Sequence, residues 1–422
     1  MRAIGIAYQM HGLVTLNKDG RSVRPAIIWC DGRAVETGRR LTEEIGRQNL
    51  LHANLNTAGN FTASKMVWMM DHEKELWSQV RTVMLPGDYI AYRLSGEMAT
   101  SRSGLSEMAL WDFVDNKTDS LILNNYKTIS ARLPKEIQNI GPSSTLLTSI
   151  ANELGLGSDV VLSYRSGDQP NNAFGLGVVD PGSVAMNAGT SGVVYAVSAT
   201  PVVDELEVFN PFLHVNDTDS NRRIGLLFCL NGCGILNAQM RRLTKASSYA
   251  AMNEMASNVA LGADGLRILP FGNGAERMLG NKNPGASVHG WDLVRHSESH
   301  FFRASLEGIA ASLTYGIEHM RNLGVEIHTV HAGHANLFMS KPFCESVSAM
   351  AGVDIHLYES DGASAAAKGA AYGAGLIDRA VDPSELLGDP VVYHPSQSDV
   401  EDMAEIKTDY FSKISSTLNQ NQ

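Results

Sequence analysis

Cysteine is scarce in this chain, with four in 422 residues: Cys30, Cys229, Cys233 and Cys344. That is too few for a disulfide framework at this length and fits a reducing cytoplasm. The pair in Cys-Leu-Asn-Gly-Cys reads as small apolar residues near a strand end. No apolar run approaches the roughly eighteen residues that cross a bilayer, and no charged segment followed by an apolar stretch marks a secretory signal. Basic residues are also in short supply, 34 Lys and Arg against 45 Asp and Glu for a net charge of −11. With no basic cluster either, general nucleic-acid binding is excluded. A G-x-x-x-x-G-K-[ST] loop is absent, so any phosphate cradle is of another kind.

What is present is a long alternation of strand and helix patterns, with enough chain for two domains. Residues 3–8 and 13–17 read as strands, and Asp19-Gly20 as a hairpin turn leading to Pro25–Trp29. Helical patterns cover 34–48, 62–80 and the stretch from Pro86 to Gly96. The signal weakens between 115 and 155. Beyond it, strand 160–164 enters a loop at Ser-Gly-Asp-Gln-Pro-Asn-Asn, and residues 183–198 form two strands pinched at a glycine-rich bend. The clearest helix covers 300–322, where Phe302, Leu306, Ile309, Leu313, Ile317 and Met320 recur every three or four residues. Such alternation argues for α/β layers.

Several stretches could carry chemistry. Asp168, after a buried-looking strand and beside glycine, lies where α/β proteins expose side chains to ligands and could take a proton from a hydroxyl. It could equally be a helix N-cap or Asx turn. Asn187-Ala188-Gly189-Thr190-Ser191-Gly192 offers converging N–H groups and hydroxyls to a phosphate oxygen, or is a plain hairpin. Ala332–Asn336 is a small-residue turn open to a nucleotide's sugar or base. Phe271–Arg277, with Gly272, is a nucleotide-covering loop or an exposed turn. The string His328, His331, His334 is a poor metal site, because residues three apart on a strand point to opposite faces. The helix 362–377 is packed with small residues, which suits close helix–sheet packing.

In this order the stretches resemble the FGGY carbohydrate kinases, most closely their xylulokinase members. Gln9-Met10-His11-Gly12 followed by Ala26–Ala34 is similar to that family's sugar-binding hairpin and W-x-D-x-R element, with Trp29 and Asp31. Leu85–Phe113 resembles the segment lining the substrate cleft, and Gly167–Gly177 the motif carrying the catalytic aspartate. Asn187–Gly192 resembles the second phosphate loop and His331–Asn336 the adenosine-side motif. Lys65–His72, and Ala286–Gly290 with His300–Glu307, resemble the two family signatures, with Trp291 standing where a smaller aliphatic residue is usual.

The resemblance implies a two-domain actin/Hsp70-like (ribonuclease H-like) ATPase fold, divided into 1–182, binding sugar, and 183–422, binding ATP. It implies a kinase using ATP and Mg²⁺ on a ketopentose, D-xylulose giving D-xylulose 5-phosphate, with Asp168 as general base. Gln9, Met10, His11, Trp29, Asp31 and Gln169 would serve the sugar, and Gly189, Thr190, Ser191, Gly272, Gly333 and Asn336 the nucleotide. No residue is assigned to a metal. Asp168 is expected to be a surface carboxylate with a pKa near 4. The family's opening D-x-G-[TS]-[ST] element has no counterpart here, so the first domain is expected to be N-terminally truncated, with unpaired strand edges. A catalytically impaired sugar- or nucleotide-binding protein, a kinase for ribulose, glycerol or gluconate, and a sugar-independent ATPase are the competing expectations. A cytoplasmic protein, with a homodimer as the common soluble state, completes the reading.

Overall fold

Two β-sheets organise the computed structural model, which describes residues 1–118, 121–378 and 383–419. The first has three strands, β1 (Ala3–Tyr8), β2 (Ile140–Thr145) and β3 (Val161–Gly167), in the order β1-β3-β2. β1 runs parallel to β3, with Tyr8 opposite Gly167. The turn after β1 and the residue after β3 therefore leave the sheet at the same carboxyl end, the end where open α/β sheets receive ligands. Beside α1 (Thr62–His72), which packs on the helix Val35–Ile45, α2 (Pro86–Ser95), α3 (Arg102–Glu107) and α4 (Asp168–Gly175) pack against this sheet. α2 starts with Pro86 in its first turn and ends at a left-handed Gly96, as the sequence predicts.

The second sheet has seven strands: β4 (Gly182–Ala188), β5 (Gly192–Ser198), β6 (Phe209–Leu213), β7 (Ile224–Leu230), β8 (Ile327–Gly333), β9 (Asp354–Tyr358) and β10 (Val391–Tyr393). Their order is β6-β7-β5-β4-β8-β9-β10. β4 and β8 are parallel, with Met186 opposite Ala332, and β8 and β9 are parallel, with Gly333 opposite Tyr358. Three loops, after Ala188, Gly333 and Tyr358, thus gather at one edge. The helix α5 (Cys233–Thr244) follows β7, and the long α6 (Glu298–Asn322) buries the six periodic residues named above.

The small-residue helix α7 (Gly362–Gly373) follows β9 in the chain but lies on the first sheet. Gly362, Ala365, Ala366, Gly369 and Gly373 fall at helical spacing on one face, and a Cβ on Gly5 would sit 2.1 Å from the Ala366 carbonyl. Close packing was the expectation for this helix; its partner was not readable. The two halves also meet through Leu213, whose N–H donates to Ser106 Oγ at 2.9 Å. Among the described residues no helix is long and apolar enough to cross a membrane.

Several expectations change. The 34–48 pattern breaks at Gly46, at φ 96°, into Val35–Ile45 and Arg47–Ala53. The 62–80 pattern breaks at Glu73 into α1 and Lys74–Gln79. Pro25–Trp29 forms only the isolated bridge between Leu13 and Ile27, and Val14–Leu16 pairs instead with Thr82–Met84. The strand expected over 160–164 runs on to Gly167 with no loop after it, and Asp168 starts a helix, as the sequence predicts. The strand β6 was not anticipated; its Pro211 is tolerated because β6 is an edge strand.

Candidate active site

The turn after β1 is held from several sides. His11 adopts φ 58°, a left-handed conformation costing a non-glycine residue about 1–2 kcal/mol. Its Nδ1 lies 2.9 Å from the Glu107 carbonyl. A carbonyl only accepts, so Nδ1 carries the hydrogen and Nε2 is left as an acceptor. Burial, with the charges of Lys65 and Arg277, lowers the imidazole pKa to about 4, so the ring is neutral at pH 7. The rings of Phe61 and Phe212 pack on it at 4.9 and 5.2 Å. Gln9 Oε1 accepts the Trp29 N–H at 3.2 Å. Met10 is buried against Gly167, where an added Cβ would meet Met10 Cγ at 2.6 Å.

Asp168 faces this turn. Its carboxylate accepts the side-chain amide of Gln169 at 3.2 Å, and the backbone N–H of Met10 lies near enough to favour its ionised form. The expectation of a surface group is corrected here: Asp168 is half-buried. Burial lifts its pKa above the ordinary value, against the lowering effect of those N–H groups. Behind it lies Glu107, 1% exposed, which accepts the Tyr8 hydroxyl at 3.2 Å. Burial, with Asp88 and Asp168 nearby, holds the Glu107 carboxyl well above the usual carboxylate range.

A cavity of about 190 Å³ opens between α4 and the second sheet, lined by Gln169, Asn187, Gly333, Asn336, Ser360 and Asp361 among others. Gly189 borders it, its Cβ position 3.7 Å from Asn336 Nδ2. The Gly189–Ser191 turn rests on the start of α5: Gly234 N–H donates to the Gly189 carbonyl at 2.8 Å and Ile235 N–H to Thr190 at 3.3 Å. The positive end of a helix dipole thus underlies a turn carrying exposed Thr190 and part-exposed Ser191, a favourable place for an anion. A Cβ on Gly234 would sit 2.3 Å from the Gly189 oxygen, so glycine is required there.

Other predicted residues stand apart from this cavity. Trp29 is 57% exposed. Asp31 is engaged by Arg33 at 2.9 and 2.7 Å, which lowers its carboxyl pKa to about 2. Gly272, at φ 113°, packs on Gly285 and Ala286. The three histidines take separate partners: His331 the Leu176 carbonyl, His334 Glu359 and His328 Glu326. Among the described residues no cluster of three or more His, Cys, Asp or Glu is placed to hold a metal.

Glu276 belongs to the same region, accepting the N–H groups of Asn231 and Gly232 at 3.0 and 3.1 Å just before α5. Burial pushes its carboxyl up to about 7 from 4.5. The native state then holds this proton more tightly than the unfolded chain, so its stabilising contribution is lost as pH rises from about 4.5 through about 7. Glu276→Gln, which cannot ionise, should flatten that part of the curve; melting temperatures across this range check it.

The sequence reading missed Glu107 and Phe212. Glu107 lay inside the cleft-lining resemblance of Leu85–Phe113, and its own signal was a lone acid in the apolar run Leu-Ser-Glu-Met-Ala-Leu-Trp. Phe212 carried none, because its strand was not recognised.

With this geometry in view, residues 1–175 match the N-terminal domain of the FGGY family of carbohydrate kinases and residues 184–376 its C-terminal domain. Similar curated proteins include the xylulose kinase of Haemophilus influenzae, 29% identical over 334 residues, covering 77% of this chain and 66% of that protein. That of Escherichia coli is 28% identical over 331 residues, covering 78% of this chain and 67% of that protein. The chain thus spans about two thirds of the length of these relatives. The crystal structure of ligand-bound xylulose kinase from Lactobacillus acidophilus superposes with a TM-score of 0.90 at 20% identity, over 100% of this chain and 85% of the other. Plasmodium falciparum glycerol kinase with ADP gives 0.87 at 17%, over 99% and 83%. With the two family models, these likenesses give the chain the two-domain, actin/Hsp70-like fold of the FGGY kinases.

Proposed function

The chain belongs to the FGGY family of carbohydrate kinases, and on that premise we propose that it transfers the γ-phosphate of ATP to the terminal hydroxyl of a ketopentose, D-xylulose giving D-xylulose 5-phosphate. The observation that carries this reading is the meeting of Asp168 with the Met10-His11 turn at the carboxyl ends of β1 and β3. The division of labour is 1–182 for the sugar and 183–422 for ATP, with Phe212 reaching the sugar side from the second half.

Phosphoryl transfer needs positioning and charge stabilisation more than covalent help. Neutral His11 accepts a sugar hydroxyl at Nε2, and the Phe61 and Phe212 rings exclude water. Asp168 takes the proton of the terminal hydroxyl as its oxygen bonds to the γ-phosphorus and ADP departs. Gln169 orients the carboxylate. The Gly189–Ser191 turn on α5 receives phosphate oxygens, and Gly333 and Asn336 border the adenosine. The described residues do not form a Mg²⁺ site of their own: no cluster of three or more His, Cys, Asp or Glu is present, and Asp361 is the one carboxylate lining the cavity. No step above is routed through a metal.

A coupled ADP assay with D-xylulose, D-ribulose, D-gluconate and glycerol tests the reading. The largest kcat/KM is expected for D-xylulose. ADP release independent of sugar would favour an ATPase instead, and calorimetric sugar binding without turnover would favour a binding protein.

A further inference from the structure

Lys65 is 0% exposed, on α1, and its ammonium donates to two main-chain carbonyls, His11 at 2.8 Å and Trp29 at 3.5 Å. These carbonyls belong to the two limbs of the hairpin that begins at the His11 turn. Among the described residues, Lys65 has no ion pair; the nearby carboxylate of Asp31 is committed to Arg33. Burying an ammonium without a counter-charge is costly, and its bonds to the two carbonyls offset part of that cost. What those bonds hold points to a role besides stability. His11 supplies one: its carbonyl belongs to a residue held in a strained left-handed conformation, and the Lys65 N–H fixes that carbonyl's direction.

We propose that Lys65 is a positioning residue for the acceptor sugar, tying His11 to Trp29 so that the imidazole Nε2 faces the substrate. This rests on reading the His11 turn as the sugar site. The Lys65 charge also helps keep His11 unprotonated. Burial lowers the pKa of Lys65 itself to about 8, with Asp31 and Cys30 acting in the opposite direction. The sugar site should therefore loosen as Lys65 loses its proton above about pH 8. Neither His11, at about 4, nor Asp31, at about 2, titrates in that range.

The test measures sugar KM, kcat and melting temperature for the full chain, Lys65→Met and His11→Ala, between pH 7 and 9.5. A Cys30→Ser background removes the thiol near Lys65. Lys65→Met is expected to raise sugar KM about ten-fold or more, the loss of a charge-assisted hydrogen bond, at temperatures where the variant is still fully folded. Its KM should be flat with pH, whereas the parent's rises above about pH 8. A fallen melting temperature with unchanged KM would make Lys65 merely structural and overturn the proposal. If Lys65→Met does not fold, a parent KM that stays flat to pH 9.5 overturns it equally. If His11→Ala leaves sugar KM unchanged, the reading of the turn as the sugar site fails instead, whatever Lys65 does.

Discussion

Asp168→Asn is expected to lower kcat for sugar phosphorylation by about two to four orders of magnitude, the usual contribution of a general base. The change is close to isosteric, and the amide oxygen of Asn can still accept the Gln169 side-chain amide. Sugar KM should therefore move little. ATP binding, read by calorimetry, should not move, because the turn on α5 and the Gly333–Asn336 loop make no use of the carboxylate. The same group sets the acid limb of the parent's pH profile. A base must be ionised to act, and burial raises Asp168 above 3.8, so kcat should fall as pH drops through that raised value and the variant should lack the limb. Turnover retained in Asp168→Asn would remove this residue from the base role.

The ends of the key strands were legible from local chemistry. Gln-Met-His-Gly and Gly-Asp-Gln interrupt apolar runs with turn and cap residues, and the parallel ladders then bring these interruptions together. Local chemistry alone could not give that meeting, which only the family resemblance implied, because register between Tyr8 and Gly167 joins positions 159 apart and depends on the whole sheet. The same limit hid Glu107 and Phe212, whose roles come from contacts across the chain. Asp168 was misjudged as exposed for a related reason. Burial of a residue at a strand end is decided by what packs over it, here Gly167 against Met10 and Glu107. The α7 stripe shows the boundary clearly: spacing of Gly362, Ala365, Ala366, Gly369 and Gly373 reveals a close-packing face, but not that the partner is a sheet formed by the first half.

The second large effect concerns what holds β3 in place. Arg165, three residues before Asp168, is 2% exposed and pairs with Asp88, 0% exposed, at 3.0 Å, while donating to the Ala99 carbonyl at 2.8 Å. Asp88→Asn keeps the shape and removes the counter-charge. Breaking a buried pair from one side costs about 3–5 kcal/mol because the remaining ion is left uncompensated. Against a total of about 5–15 kcal/mol for a domain, that leaves little margin. Urea unfolding at pH 7 should show the loss. Because the stranded charge lies on the strand that aims the base, kcat should fall at temperatures where the variant is still folded. If the penalty comes from the orphaned guanidinium, removing it must relieve it: Asp88→Asn/Arg165→Met should be more stable than Asp88→Asn alone. Were the two changes simply additive, or Asp88→Asn within about 0.5 kcal/mol of the parent, the pair would not be what orders this strand. The route from α2 through Arg165 to the base would then have to run through the Gly87 contact with Tyr8 instead.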